Sequence, residues 1–291
     1  MSLPSDLKQR PSTEQLDLLW KEVIADPYPK GELPTRVPGA WARLKLFSVG
    51  FNRGSFELPG DELPPDRPKL VHTWGTCARV RMKIDNAHGF TGIVESGGEG
   101  LLRFSDANGG PKFLPSLAIK FMITGHASLN LLALPMNYRD KGDRHPLSSI
   151  FSNGTQPAKE FDAKLVQRSF QKTADALGGS RLYAVYLPLH HLAGMHLDGS
   201  AVQKPVVADR IEFHPTAEAR KASDGGKDFR EALAQIPKGT KLFDLQVSEH
   251  LEKPALPLGE LWLESEFIAS RYGDEHLFFA HDVGPTGGPK H

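Results

Sequence analysis

The stretch Arg79-Val-Arg-Met-Lys-Ile84 decides the fold. Val80, Met82 and Ile84 alternate with Arg79, Arg81 and Lys83, so an extended chain turns three apolar side chains one way and three cations the other. That period of two is the signature of a half-buried strand. Working outward, residues 90–95, 100–105, 116–123, 128–134, 181–187, 206–213, 240–247, 258–264 and 276–281 read as further strands. Between them, 28 glycines and 23 prolines leave little room for long helices. Short strands at this spacing predict a mainly β (α+β) chain: a closed or nearly closed antiparallel barrel of about eight strands with a few peripheral helices.

The helices expected around it are short. Ser12 can cap a helix on which Leu16, Leu19, Trp20 and Val23 form one apolar stripe, with Gln15 completing a capping box. Pro27, Pro29, Pro34 and Pro38 then impose an extended path. A second helix is expected over 158–177 and a third over 228–236, where Asp228 and Glu231 form a capping box and Pro237 ends it. The organisation predicted is an arm and connector over 1–66, a barrel domain over 67–284 carrying the two later helices, and a flexible tail over 285–291. An apolar stripe on such an arm needs a surface to cover it, which predicts an oligomer, with a homodimer as the default.

A chain of 291 residues can bury roughly three-quarters of its unfolded surface without staples. Its 35 basic and 35 acidic residues cancel. That balance removes the footprint of a general nucleic-acid or anionic-membrane binder. One cysteine, Cys77, excludes an intramolecular disulfide and a multi-cysteine metal centre within one chain. No apolar run reaches membrane-spanning length, and Met1-Ser-Leu-Pro-Ser-Asp-Leu-Lys8 lacks a signal-peptide core. The expectation is a cytoplasmic protein with a small-molecule substrate.

Twelve histidines are the starting point for chemistry. His72 sits in the apolar run Lys69-Leu-Val-His72, with Gly75 just beyond; taken alone, it reads first as a buried histidine satisfied by a local hydrogen bond. A second group is His190, His191, His196 and Asp198, a candidate metal site in which adjacent histidines on a strand would face opposite ways.

The segments around His72 shift that balance. Gly100-Leu-Leu-Arg-Phe-Ser105, then Leu117-Ala-Ile-Lys-Phe121, resemble the haem catalase family, which carries Val-Arg-Phe-Ser-Thr followed by Phe-Ala-Val-Lys-Phe. Lys69-Leu-Val-His72 is similar to that family's Arg-Val-Val-His. Leu242-Phe-Asp-Leu245 and Leu258-Gly-Glu-Leu-Trp-Leu263 follow in the family's order. The resemblance covers about 69–135 and 240–265 and implies a catalase-like barrel binding haem b. It implies His72 as the distal acid–base group and Ser105 as the partner of its other ring nitrogen. It also implies Arg103 and Lys69 as propionate partners, Lys69 standing where the family has an arginine, and Val71 as a haem contact. The activity implied is turnover of peroxide or organic hydroperoxides, as a peroxidase or rearranging enzyme rather than a fast catalase.

Three departures keep a second reading open. The family's distal asparagine falls on Leu132 or Ala133, and Asn130, one strand period before Leu132, is the nearest candidate for that role. The family's iron-binding Arg-x-x-x-Tyr motif does not occur; Tyr272, with Arg271 adjacent, is the only late tyrosine and the sole candidate axial ligand. The chain is also shorter than the family's. The alternative is a haemless barrel that binds or converts a hydrophobic small molecule in the vacated pocket.

Overall fold

The computed structural model describes residues 12–34, 72–106, 116–121, 129–133, 182–188, 196–197, 200–225, 227–249, 253–277 and 279. Eight strands form one antiparallel sheet: β1 (Trp74–Ile84), β2 (Gly98–Asp106), β3 (Ser116–Phe121), β4 (Leu129–Ala133), β5 (Val185–Pro188), β6 (Arg210–Pro215), β7 (Lys241–Ser248) and β8 (Leu256–Leu263). The order across the sheet is β4-β3-β2-β1-β8-β7-β6-β5. Its two edge strands, β4 and β5, come to lie beside each other, so the sheet curls into a nearly closed barrel. A barrel made this way is a sheet packed on itself, and alternation along each strand fills its interior.

That interior is packed mainly with apolar side chains. Ala78, Val80 and Met82 of β1 meet Leu102 and Phe104 of β2, Ile119 and Phe121 of β3, Ile211 and Phe213 of β6, and Phe243, Leu245 and Val247 of β7. Phe213 and Phe243 cross edge to face with centroids 6.0 Å apart. The cations that alternate with the apolar residues of β1 lie on the outer wall. Arg79 pairs with Asp17 and Glu99, Arg81 with Glu99 and Glu264, and the Lys83 ammonium stands 4.7 Å above the Trp262 ring.

Helix α1 (Ser12–Ala25) lies against this outer wall. Leu16, Leu19 and Val23 form a second buried cluster with Cys77 of β1, Leu101 of β2 and Leu277. The stripe is thus covered by the chain's own barrel and does not itself require a second copy to bury it. Among the described residues three short helices follow: α2 (Ala217–Ala222), α3 (Phe229–Leu233) and α4 (Arg271–Glu275). Asp228 caps α3 as expected, accepting from the Arg230 amide, but the helix is closed by Leu233, short of Ile236. The helix expected over 158–177 lies outside the described residues.

Two expected strands differ. Residues 90–95 hold a 3-10 turn over Gly92–Val94. There Gly92 takes a φ of +88°, and its amide donates to the Glu95 carboxylate at 2.7 Å. Residues 276, 277 and 279, the described part of the expected last strand, carry no strand pairing; the segment before them is α4. Among the described residues no helix is long and apolar enough to cross a membrane.

Candidate functional site

His72, two residues before β1, has a φ of +56°, in the left-handed region that side chains other than glycine enter at a cost. Two bonds hold it there. Its carbonyl accepts from Arg103 Nη1 at 2.9 Å. Its Nδ1 lies 3.2 Å from the Ser105 hydroxyl, in a hydrogen bond whose donor depends on the imidazole tautomer. Ser105 and Arg103 reach it because β2 sends both to the outer wall while Leu102 and Phe104 turn inward. The ladder sets Ser105 opposite Gly75 and Arg103 opposite Cys77, so both side chains lie beside the beginning of β1.

Arg103 is buried, 2% exposed, and its charge is met within the fold. Nη2 donates to Asp274 Oδ1 at 2.8 Å and to the Thr73 carbonyl at 3.2 Å. The same Asp274 oxygen accepts the Gly75 amide at 2.8 Å. Helix α4 delivers that carboxylate: Ser270 caps it by accepting the Gly273 amide at 3.0 Å. Tyr28, just beyond α1, hydrogen-bonds Asp274, and burial together with that carboxylate pushes its phenol above the ordinary range. Arg230 stacks over Trp74 at 5.1 Å and donates to the Pro34 carbonyl at 2.8 Å. The start of β1 is therefore clamped from three sides, which fixes the imidazole it carries.

The structure brings His72, Ser105 and Arg103 together and sets Asn130 elsewhere. Asn130 lies opposite Lys120 and accepts from its Nζ at 2.9 Å. Lys120 is in turn opposite Leu101, four residues along β2 from Ser105, or about 13 Å at the usual strand rise. Tyr272, on α4, packs into the α1 cluster, with its ring centroid 5.7 Å from that of His276. Lys69 and Val71 lie outside the described residues, as do His190, His191 and Asp198. His196 places Nδ1 2.9 Å from the Glu95 carboxylate. No group of three potential metal ligands occurs among the described residues.

The described residues do not fit a haem held as the resemblance implies. A propionate would need the Arg103 guanidinium, whose two terminal nitrogens are committed to Asp274 and to the carbonyls of His72 and Thr73. Its Nε has no partner among the described residues and abuts the strand: a Cβ added at Gly75 would stand 2.7 Å from it. An axial tyrosinate needs a lowered phenol pKa. Tyr272 is pushed the other way, up to about 12, by burial first and then by the charges of Glu22 and Cys77.

Asp274 and Tyr28 are the members of this site that sequence reasoning passed over. Asp274 hides in Ser270-Arg-Tyr-Gly-Asp274, which reads as a turn. Its one trace in the sequence is the serine cap ahead of it, with the acidic residue one position later than a capping box would place it. No family model, no curated protein and no solved structure matches this chain, so the resemblance to catalases rests on the quoted residues alone.

Proposed function

We propose that this chain is a catalase-like barrel that binds a small, largely apolar molecule beside His72 and exchanges a proton with it there, without a haem held through Arg103 or Tyr272. One arrangement carries the reading: a strained imidazole, oriented by Ser105, stands above an arginine whose charge is already met by Asp274. Anchoring Nδ1 sets the direction of the other ring nitrogen. An imidazole held that way presents one fixed nitrogen to a bound molecule, the geometric requirement for general acid–base chemistry. The buried Arg103–Asp274 pair carries no net charge and so does not select an anion.

The 3.2 Å bond between Ser105 and His72 favours a second reading, haem-dependent chemistry on peroxides or organic hydroperoxides, because the resemblance implies that same pairing. The two separate in one preparation. Protein expressed with added haem precursor is expected to show no Soret band, and 1-octanol, a simple apolar probe, is expected to raise the melting temperature of the wild type but not of His72→Ala. A Soret band near one haem per chain would overturn the proposal in favour of the second reading.

A further inference from the structure

Ser116 opens β3 directly opposite Ser105 in the β2–β3 ladder. Residues opposed in this way share a face with Cβ atoms about 5 Å apart. Ser116 is 2% exposed, and its hydroxyl has no hydrogen-bond partner among the described residues. A buried hydroxyl without a protein partner is a cost to the fold unless something else meets it. Thr76 carries a like hydroxyl, but its parity with Ala78 and Val80 turns it to the barrel interior. Ser116 instead shares the outer wall with the Ser105–His72 pair, and the same face continues through Ala118 of β3 to Leu132 of β4.

We infer that Ser116 is the head-group subsite of the site proposed above, and that the ligand is an apolar molecule carrying one neutral oxygen function: an alcohol, an aldehyde or ketone, or an alkyl hydroperoxide. The inference rests on that reading of His72 and adds the ligand's class to it. A hydroxyl both donates and accepts, so Ser116 can meet any of these oxygens. The charge balance favours a neutral head over a carboxylate, since Asp274 already answers Arg103. The buried Ala118 and the half-buried Leu132 continue that face in apolar residues.

The test uses wild type, Ser116→Ala and His72→Ala, each melted alone and titrated with 1-octanol and with octanoate. If the hydroxyl is kept for a ligand, Ser116→Ala melts higher than wild type without probe and binds 1-octanol about ten-fold more weakly. Wild type prefers 1-octanol to octanoate. A lower melting temperature for probe-free Ser116→Ala means that the hydroxyl serves the fold, and this overturns the inference whatever binds. Unchanged 1-octanol affinity in Ser116→Ala, with affinity lost in His72→Ala, removes Ser116 and leaves the reading of His72 standing. Tighter binding of octanoate overturns the neutral head group. A wild type that binds neither probe overturns the reading of His72 and this inference with it.

Discussion

Lys120 is 7% exposed on the outer wall of β3, with Nζ 2.9 Å from Asn130 Oδ1 and 5.3 Å from the centre of the Phe279 ring. Burial pushes its ammonium down from 10.5 to about 7. The folded chain therefore releases this proton near neutrality while the unfolded chain keeps it to about 10.5, so over that window the unfolded state binds more protons. Stability then rises with pH, by up to about 1.4 kcal/mol per unit from this group. Lys120→Met keeps the volume and removes the titration. Urea unfolding at pH 7.5 and 9.5 is expected to show wild type gaining about 2 kcal/mol relative to the variant; parallel behaviour of the two proteins would show that Lys120 keeps its proton when folded. At this scale the sequence is informative where a residue type carries a motif. His72, Arg103 and Ser105 are legible because each stands in a run that resembles a known one. Asp274 is not, because its role depends on a contact across 171 residues of chain with Arg103, and nothing local requires a carboxylate there. Lys120 looks like any cation on an alternating strand until the wall it faces proves to be covered.

Strands β1 and β2 approach closely at Gly75. A Cβ there would collide with the Phe104 carbonyl oxygen and stand 2.7 Å from Arg103 Cζ and Nε. Both obstacles are fixed, one as ladder backbone and the other as a guanidinium held by Asp274 and two carbonyls. Gly75→Ala must therefore move the start of β1 away from β2, with the cost of overpacking, about 1–3 kcal/mol. The displacement begins three residues from His72, so the variant is expected to lose 1-octanol binding as well as stability. Denaturant midpoints and a probe titration check both; an equally stable, fully binding variant would mean that β1 has slack where its close approach to Arg103 denies it. The element scale also shows where periodicity misleads. Phe90-Thr-Gly-Ile-Val94 has a strand's composition, yet Gly92 turns left-handed and Glu95 closes the turn, a choice that composition does not encode. Expected strand 206–213 is found as 210–215, because Val206 and Val207 remain exposed, at 53% and 42%, outside the barrel wall. Where alternation is strict, as over 79–84, the element and both its faces follow directly.

For the whole molecule, what matters is how the N-terminal segment is fastened to the barrel. Sequence alone shows an amphipathic helix followed by prolines and leaves its partner surface open; the partner turns out to be this chain. Leu16, Leu19 and Val23 cover Cys77 and Leu101, and beyond them the chain is sewn to α4: Arg271 donates its amide to the Asp26 carbonyl at 3.0 Å, and Tyr28 donates its amide to that of Ala269, also at 3.0 Å. Tyr28 then reaches Asp274, so the fastening continues into the network that fixes His72. Truncating Leu19, 5% exposed, is expected to cost about 2–5 kcal/mol through lost transfer energy and an unfilled cavity. Because the contacts lie within one chain, the lowered melting temperature of Leu19→Ala should be the same at 1 and 100 μM protein. A helix exchanged between two copies would instead make unfolding bimolecular, and melting of both wild type and variant would climb with concentration by mass action. A concentration series therefore decides between a clasp that each chain closes on itself and an arm lent to a neighbour. The first outcome also explains why the helix should matter to the site: loosening α1 loosens α4, and with it the carboxylate on which Arg103 and the conformation of His72 depend.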